Sequence, residues 1–281
     1  MGVSQRILLG VGVVLLLGAV GYAVFINDNF VSAPAPAAKA VKPVAKEPSK
    51  PAYTAIDLQP TVDAWIAKQS ADYHIVVYDA QAKKTIASNQ PDESLFAASL
   101  YKIYVAYLAL QDIQDGSMKA DEVISGSFTR KECIDKMIRE SYSPCGEAMM
   151  ADMGPATLNK RVKEMGMTGT TFNGIATSAH DSALILQYID QGKDLNTTNT
   201  AFLRDAMLTQ PAMYKRGLQL GAPDAKWETK VGWNEDQNYH DIGIMTLPDK
   251  RVFYVAILSQ GNGSSKPIAD FAKTIYAKIT E

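Results

Sequence analysis

Downstream of residue 53 the spacing of apolar residues switches between helical and strand periods, and the order of the switches predicts the architecture. Leu58, Val62, Trp65 and Ile66 share one helical face, which predicts an amphipathic helix over 57–70. Residues 73–78 are rich in β-branched and aromatic side chains, and 84–88 can pair back on them as a hairpin. From 99 to 112 the apolar positions crowd together (Ile103, Val105, Ala106, Tyr107, Leu108, Leu110), the pattern of a buried helix. Helical patterns continue over 132–140, 146–153 and 156–165. Ser178-Ala179-His180-Asp181 has the form of a capping box opening a helix that runs to Gln191, although Asp suits its last position less well than Glu. Strands return over 227–232, 241–247 and 252–260, the last two joined by a turn at Pro248-Asp249. Ile268, Phe271, Ile275 and Ile279 form the inner stripe of a closing helix.

Strands at both ends with helices between them imply an α/β fold of the α+β type. One antiparallel sheet is built from N- and C-terminal segments with flanking helices, and an all-helical lobe is inserted in its middle. Residues 53–281 suffice for one substantial core. A cleft between sheet and lobe is the natural place for a site.

The first 52 residues have a different character. Ile7 to Ile26 is an uncharged, mostly apolar run of the length that crosses a bilayer as a helix, with Arg6 on its N-terminal side. We expect 1–26 to be a transmembrane anchor. A secretory signal peptide is the alternative, because Ala/Ser-rich sequence follows at 32–40, but its apolar region would be unusually long. Lys39 and Lys42 lie close on the far side, so charge asymmetry sets the orientation only weakly. The expected location is the cell membrane, single-pass, with the C-terminal domain extracytoplasmic, or secretion if the segment is cleaved. Residues 27–52 are Ala, Pro, Lys and Val with Pro34, Pro36, Pro43, Pro48 and Pro51, which describes a semi-rigid linker. Its lysines could touch acidic lipid or wall polymer; a solvated spacer is the simpler reading.

The 28 Lys and Arg against 30 Asp and Glu give no basis for nucleic-acid binding. His74, His180 and His240 have no ligand spacing, so neither a metal nor a cofactor is implied. The two cysteines, Cys133 and Cys145, read as a disulfide if the domain is extracytoplasmic and as two reduced core thiols otherwise.

The candidate chemistry centres on Ser99-Leu100-Tyr101-Lys102, set where an extended segment gives way to the buried helix. A serine hydroxyl is a weak nucleophile until a neighbouring base takes its proton. Residues three apart on a helix share a face, so Ser99 would present its Oγ beside the Lys102 amine. Burial and nearby positive charge can leave that amine neutral enough to act as a base, and Lys230 is a suitable second cation. The Ser99 N–H at the helix start could supply half of an oxyanion hole. Two clusters follow downstream, Ser141-Tyr142-Ser143 and Lys230-Val231-Gly232.

Phe96-Ala97-Ala98-Ser99-Leu100-Tyr101-Lys102 followed by an apolar helix resembles the active-site helix of penicillin-recognising serine hydrolases, the serine β-lactamases and D,D-peptidases. The resemblance spans about 53–281 and is greatest to the class A β-lactamase branch, which implies a β-lactamase/transpeptidase-like fold. Ser141-Tyr142-Ser143 sits where that family has Ser-Asp-Asn, Thr177-Ser178-Ala179-His180-Asp181 resembles its Thr-Thr-Ala-x-Asp, and Lys230-Val231-Gly232 stands for its Lys-Thr-Gly. By this resemblance Ser99 would be the acylated nucleophile and Lys102 its base. Ser141 would pass a proton to the leaving nitrogen, while Lys230 would orient Ser141 and attract the substrate carboxylate. The Trp233 N–H would complete the oxyanion hole, and Ser143, Gly232 and Arg216 would contact substrate, a β-lactam or a stem peptide of peptidoglycan.

The departures from the pattern are informative. Ser143 replaces an Asn and is expected to be too short to reach both Lys102 and a substrate amide. Val231 replaces a Thr or Ser whose hydroxyl would bind the substrate carboxylate. Residues 165–177 contain no Glu, whereas class A β-lactamases place there the glutamate that activates the deacylating water. The resemblance therefore implies slow deacylation and peptidase-like chemistry, with a non-catalytic penicillin-binding sensor or wall-binding module as the alternative. Plain structural readings also exist. Ser99 and Ser141 can be helix caps, Lys102 and Lys230 solvated charges, and Arg216 half of an ion pair. Asp181 fits a helix-start role and Glu147 a surface one.

Overall fold

The computed structural model describes residues 53–234 and 237–281. The chain enters through helix α1 (Gln59–Ile66) and a hairpin of strands β1 (Asp72–Asp79) and β2 (Lys84–Asn89). A short strand β3 (Ser94–Phe96) leads through a 3-10 turn at Ala98–Leu100 into α2 (Tyr101–Asp115). The ribbon of β4 (Val123–Ser125) and β5 (Phe128–Thr129) precedes helices α3 (Arg130–Arg139), α4 (Ser143–Met153) and α5 (Pro155–Glu164). Strand β6 (Ala176–Ser178) pairs with β3 and is followed by α6 (Ala179–Asp190) and α7 (Thr197–Leu208). After a 3-10 turn at Ala212–Tyr214 and the short α8 (Leu218–Gly221) come β7 (Lys226–Asn234), β8 (Asn238–Thr246), β9 (Val252–Gln260) and the closing helix α9 (Lys266–Thr280).

Five strands form one antiparallel sheet in the order β2-β1-β9-β8-β7. The two ends of the domain meet at β1 and β9, in register from Asp72 opposite Gln260 to Asp79 opposite Phe253. Alternation along the strands sends each face into its own core. Ile242, Ile244, Tyr254, Ala256 and Leu258 pack with α2, α6 and the helical lobe. Val231, Met245, Phe253, Val255 and Ile257 pack with α1, α8 and α9. This is the expected sheet-plus-lobe architecture.

Every residue of α2 from Tyr101 to Leu110 is buried, which is why the segment lacks an amphipathic period. The helix ends at Gly116 in a left-handed conformation, φ 84°. Helix α3 starts two residues earlier than its periodicity indicates, because Thr129 and Glu132 cap each other's backbone N–H groups. Helix α7 is absent from the sequence reading. Its first turn, Thr197-Thr198-Asn199-Thr200, is made of weak helix formers, and the segment is held by an Asn196 cap on the Asn199 N–H at 2.8 Å and by burial of Leu203, Ala206 and Met207.

Cys133 of α3 and Cys145 of α4 are fully buried, with their sulfurs bonded at 2.08 Å. The bond clamps the two helices on either side of the 140–143 turn. Among the described residues no helix is long and apolar enough to cross a membrane. The span expected within 1–26 and the linker over 27–52 lie outside the described residues. Replacing both cysteines by alanine should lower the unfolding free energy by about 3 kcal/mol, the chain-entropy value for so short a loop. A urea titration checks this, and an unchanged midpoint would show that the bond adds nothing.

Candidate active site

The site grows from the way the chain reaches Ser99. The Ala97 N–H donates to the Ile175 carbonyl at 2.9 Å, and the Leu100 N–H folds back to the Ala97 carbonyl at 2.9 Å. Between them Ala98 sits at φ 44°, a conformation that costs a non-glycine residue of order 1 kcal/mol. Ser99 therefore lies in a 3-10 turn, with the α-helix beginning at Tyr101 rather than at Ser99 as its sequence pattern predicts. Three residues per turn stacks positions i and i+3 directly, which sets Ser99 under Lys102.

Two further residues fix that turn from the sheet. His240 on β8 is fully buried, and its Nδ1 accepts the Ser259 N–H at 3.0 Å. Its Nε2 therefore carries the proton and donates to the Phe96 carbonyl at 2.8 Å. Burial pushes this imidazole down to about 4, so it is neutral at ordinary pH. Gly232 on β7 passes so close to the turn that a Cβ there would stand 2.8 Å from the Ala97 carbonyl oxygen and 3.1 Å from the Ser99 nitrogen.

Lys102 is fully buried, and its Nζ lies 3.0 Å from Ser99 Oγ, 2.6 Å from the Ser141 carbonyl and 3.1 Å from Ser143 Oγ. A neutral amine has two N–H donors and one lone pair, enough to serve the Ser141 carbonyl and Ser143 while accepting the Ser99 proton. Loss of hydration on burial lowers the amine to about 8, partly opposed by the negative charge of Glu147. At pH 7 about one molecule in ten then carries the free base. The approach of α4 makes the burial possible. At Gly146 a Cβ would lie 2.8 Å from Lys102 Cε and 2.7 Å from the Tyr101 hydroxyl. A glycine inside a helix costs about 1 kcal/mol relative to alanine, and that anomaly is the one sequence signal that could have marked the position.

Lys230 enters from β7 and donates to Ser141 Oγ at 2.9 Å and to the Val231 carbonyl at 2.8 Å. Its amine is held well below the usual ammonium range, first by complete burial and then by repulsion from Lys102, with Asp241 opposing. Ser141 thus receives one lysine on its carbonyl and the other on its hydroxyl, and it does so at φ 53°. Tyr214 supports this strained residue by donating its hydroxyl to the Glu140 carbonyl at 2.6 Å, while its ring packs against Trp233 at 5.7 Å. Gln210 forms a parallel tie, donating to the Ile138 carbonyl at 2.8 Å and accepting from Thr229 Oγ1 at 3.1 Å. Neither Tyr214 nor Gln210 stands in a recognisable motif, and only the fold shows them joining lobe to sheet.

The remaining candidates are placed as follows. Ser143 reaches Lys102 despite its short side chain, because α4 begins at Ser143 itself rather than at Gly146, bringing its Oγ to the amine. Val231 packs into the core beneath the sheet and offers no hydroxyl at that position. Trp233, on the edge strand β7, is 40% exposed. With Arg216, Tyr239 and Met213 it lines a cavity of about 410 Å³ beside the site. Asp241 is buried, its Oδ2 accepting the Leu218 N–H at 2.9 Å while Oδ1 has no partner among the described residues, and burial pushes it up to about 8. A larger cavity of about 570 Å³, lined by Asp190, Arg204 and Glu228, lies away from these residues and holds no paired nucleophile and base. Among the described residues no group of three or more His, Cys, Asp or Glu is placed to hold a metal ion.

Comparison with known proteins bears on the family and the fold. A model of the β-lactamase enzyme family matches residues 57–279. No curated protein matches the chain. Among solved structures, PBP-A is similar over 79% of this chain and 96% of its own, with 18% identity and a TM-score of 0.72. An ancestral class A β-lactamase, reconstructed for the last common ancestor of Gram-negative bacteria, gives 16% identity and a TM-score of 0.72 over 78% of this chain and 99% of that one. A β-lactamase from Chitinophaga pinensis gives 15% identity and a TM-score of 0.72 over 78% and 98%. At such identities the likeness is one of fold.

Two substitutions test the framework. Gly232→Ala should push the Ala97–Leu100 turn away from β7 and cost about 1–3 kcal/mol of stability, read by thermal unfolding. A variant as stable as the wild type would mean the turn yields without strain. Tyr214→Phe removes a hydrogen bond worth about 1 kcal/mol from the Ser141 loop and should slow any reaction at Ser99 more than it destabilises the fold. Equal effects on both would reduce Tyr214 to a packing residue.

Proposed function

The chain belongs to the β-lactamase enzyme family, and we propose that it is a serine acyl-hydrolase in which Ser99 is acylated by a β-lactam or a D-alanyl peptide. The observation that carries this reading is the Lys102 amine, buried, lowered to about 8 and 3.0 Å from Ser99 Oγ.

In this mechanism neutral Lys102 takes the Ser99 proton as Oγ attacks the substrate carbonyl. The oxyanion forms between the N–H groups of Ser99 and Trp233, one at the 3-10 turn and one on the edge strand. Ser141 delivers a proton to the departing nitrogen, and Lys230, whose amine donates to the Ser141 hydroxyl, replaces it while Lys102 keeps the proton taken from Ser99. A substrate carboxylate docking near Lys230 and Arg216 restores the ammonium form of Lys230, since an opposite charge favours the charged state. With no hydroxyl at Val231, the exposed Arg216 carries more of the carboxylate recognition. Residues 165–177 offer no Glu to activate water, so any base for deacylation has to come from another element, and deacylation slower than acylation brings the chemistry closer to a D,D-peptidase than to a fast β-lactamase. A long-lived adduct is also what a penicillin sensor needs, and Val231 is the observation that favours that second reading. A point mutant of PBP-A, similar in fold to this chain, has been captured as an acyl-enzyme with penicillin G. We further propose that the apolar run of 7–26 tethers the domain outside the cytoplasm, which the apolar length of that run and the disulfide support.

A fluorescent penicillin should label the full-length chain covalently, and Ser99→Ala should abolish the label. Labelling that persists in Ser99→Ala, or none in the wild type, would overturn the assignment. The acylation rate should rise with pH through about 8 and level off above it, because the reactive form of Lys102 is the deprotonated one. A rate that is flat between pH 6 and 9 would remove Lys102 as the base. Nitrocefin turnover, expected to be slow against acylation, separates a trapped adduct from true β-lactamase activity.

A further inference from the structure

We infer that Glu147 is the general base that activates water to hydrolyse the Ser99 acyl-enzyme, an inference that rests on the acylation of Ser99 proposed above. Any ester at Ser99 is released only if a water adds to its carbonyl carbon and a base takes the water's proton. The connection from α5 to β6, residues 165–175, contains neither Asp nor Glu. The next carboxylate along the chain, Asp181, is buried and accepts a hydrogen bond from Thr170 at 2.7 Å, so a mobile water does not reach it. Glu140 is engaged by Lys136 at 3.3 Å, and Asp152 is ion-paired with Arg130.

Glu147 is placed differently. It lies one turn beyond Ser143 on α4, so the two share a helix face, and Ser143 is the residue whose hydroxyl receives Lys102. Its neighbour Gly146 runs directly against the Lys102 side chain. The Glu147 carboxylate is exposed and makes no hydrogen bond or ion pair with another described residue, so a water can reach it. Its negative charge acts on Lys102 and on Tyr101, the two side chains that α2 presents to this part of α4.

The step balances without another reactant. The water oxygen bonds to the acyl carbon while its proton passes to Glu147. The tetrahedral intermediate collapses with cleavage of the bond to Ser99 Oγ. The proton held by Glu147 returns through solvent and Lys102 to Oγ, restoring both groups. The released product is the carboxylic acid.

The test uses the full-length chain labelled with fluorescent penicillin, freed of excess reagent and followed as the adduct decays. Glu147→Gln should form the adduct within roughly threefold of the wild-type rate yet retain it on the order of 100-fold longer, the usual contribution of a general base. Glu147→Asp, which keeps the carboxylate, should fall between. Equal adduct lifetimes in wild type and Glu147→Gln would overturn the role of Glu147 and leave Ser99 acylation standing. No adduct on the wild-type chain would overturn the Ser99 reading and this inference with it.

Discussion

Two lysine amines buried on either side of one serine, with no ion-pairing carboxylate among the described residues, are the constraint around which the rest of the site is arranged. Lys102 and Lys230 are both inaccessible, and both meet Ser141, one at its carbonyl and the other at its hydroxyl. Removing an ammonium from water is costly unless it loses its proton or gains compensating partners. Here the partners are neutral oxygens, so the cost is expressed as lowered proton affinity, and an ordinary lysine becomes a usable base. Solvation of that cleft floor would return both amines to their usual state.

Keeping water out requires lobe and sheet to stay together, and the ties between them follow from that need. Gln210 and Tyr214 come from one loop, and they hold the end of α3 and the strained turn that carries Ser141. The disulfide closes the same turn from the far side. Two of the left-handed residues, Ala98 and Ser141, fall at the Ser99 turn and at the turn that meets both lysines, and their neighbours Ala97 and Glu140 are held by hydrogen bonds with Ile175 and Tyr214. Strain of this kind persists only where the surroundings over-determine the geometry.

The departures from the family pattern sit in different parts of the site. Ser143 at the first residue of α4 still accepts a hydrogen bond from Lys102 at 3.1 Å. Val231 belongs to the core under the sheet, while Arg216 and Trp233 line the exposed cavity beside the site. The connection before β6 carries no carboxylate.

The sequence by itself determined the sheet strands, the buried helix and the order of the three motifs, because periodicity and short spacings are local properties. Ser99 and Lys102 were legible together since three residues of any helical turn bring their side chains to one line. Helix α7, the early start of α4 and the 3-10 form of the Ser99 turn were not legible, because caps and tertiary contacts override weak propensity there. Only the tertiary structure decided that His240, Gly146 and Tyr214 belong to the site. Each acts through a backbone or side chain far away in sequence, and the proton affinity of a lysine depends on how much water the fold excludes around it, which no local pattern encodes.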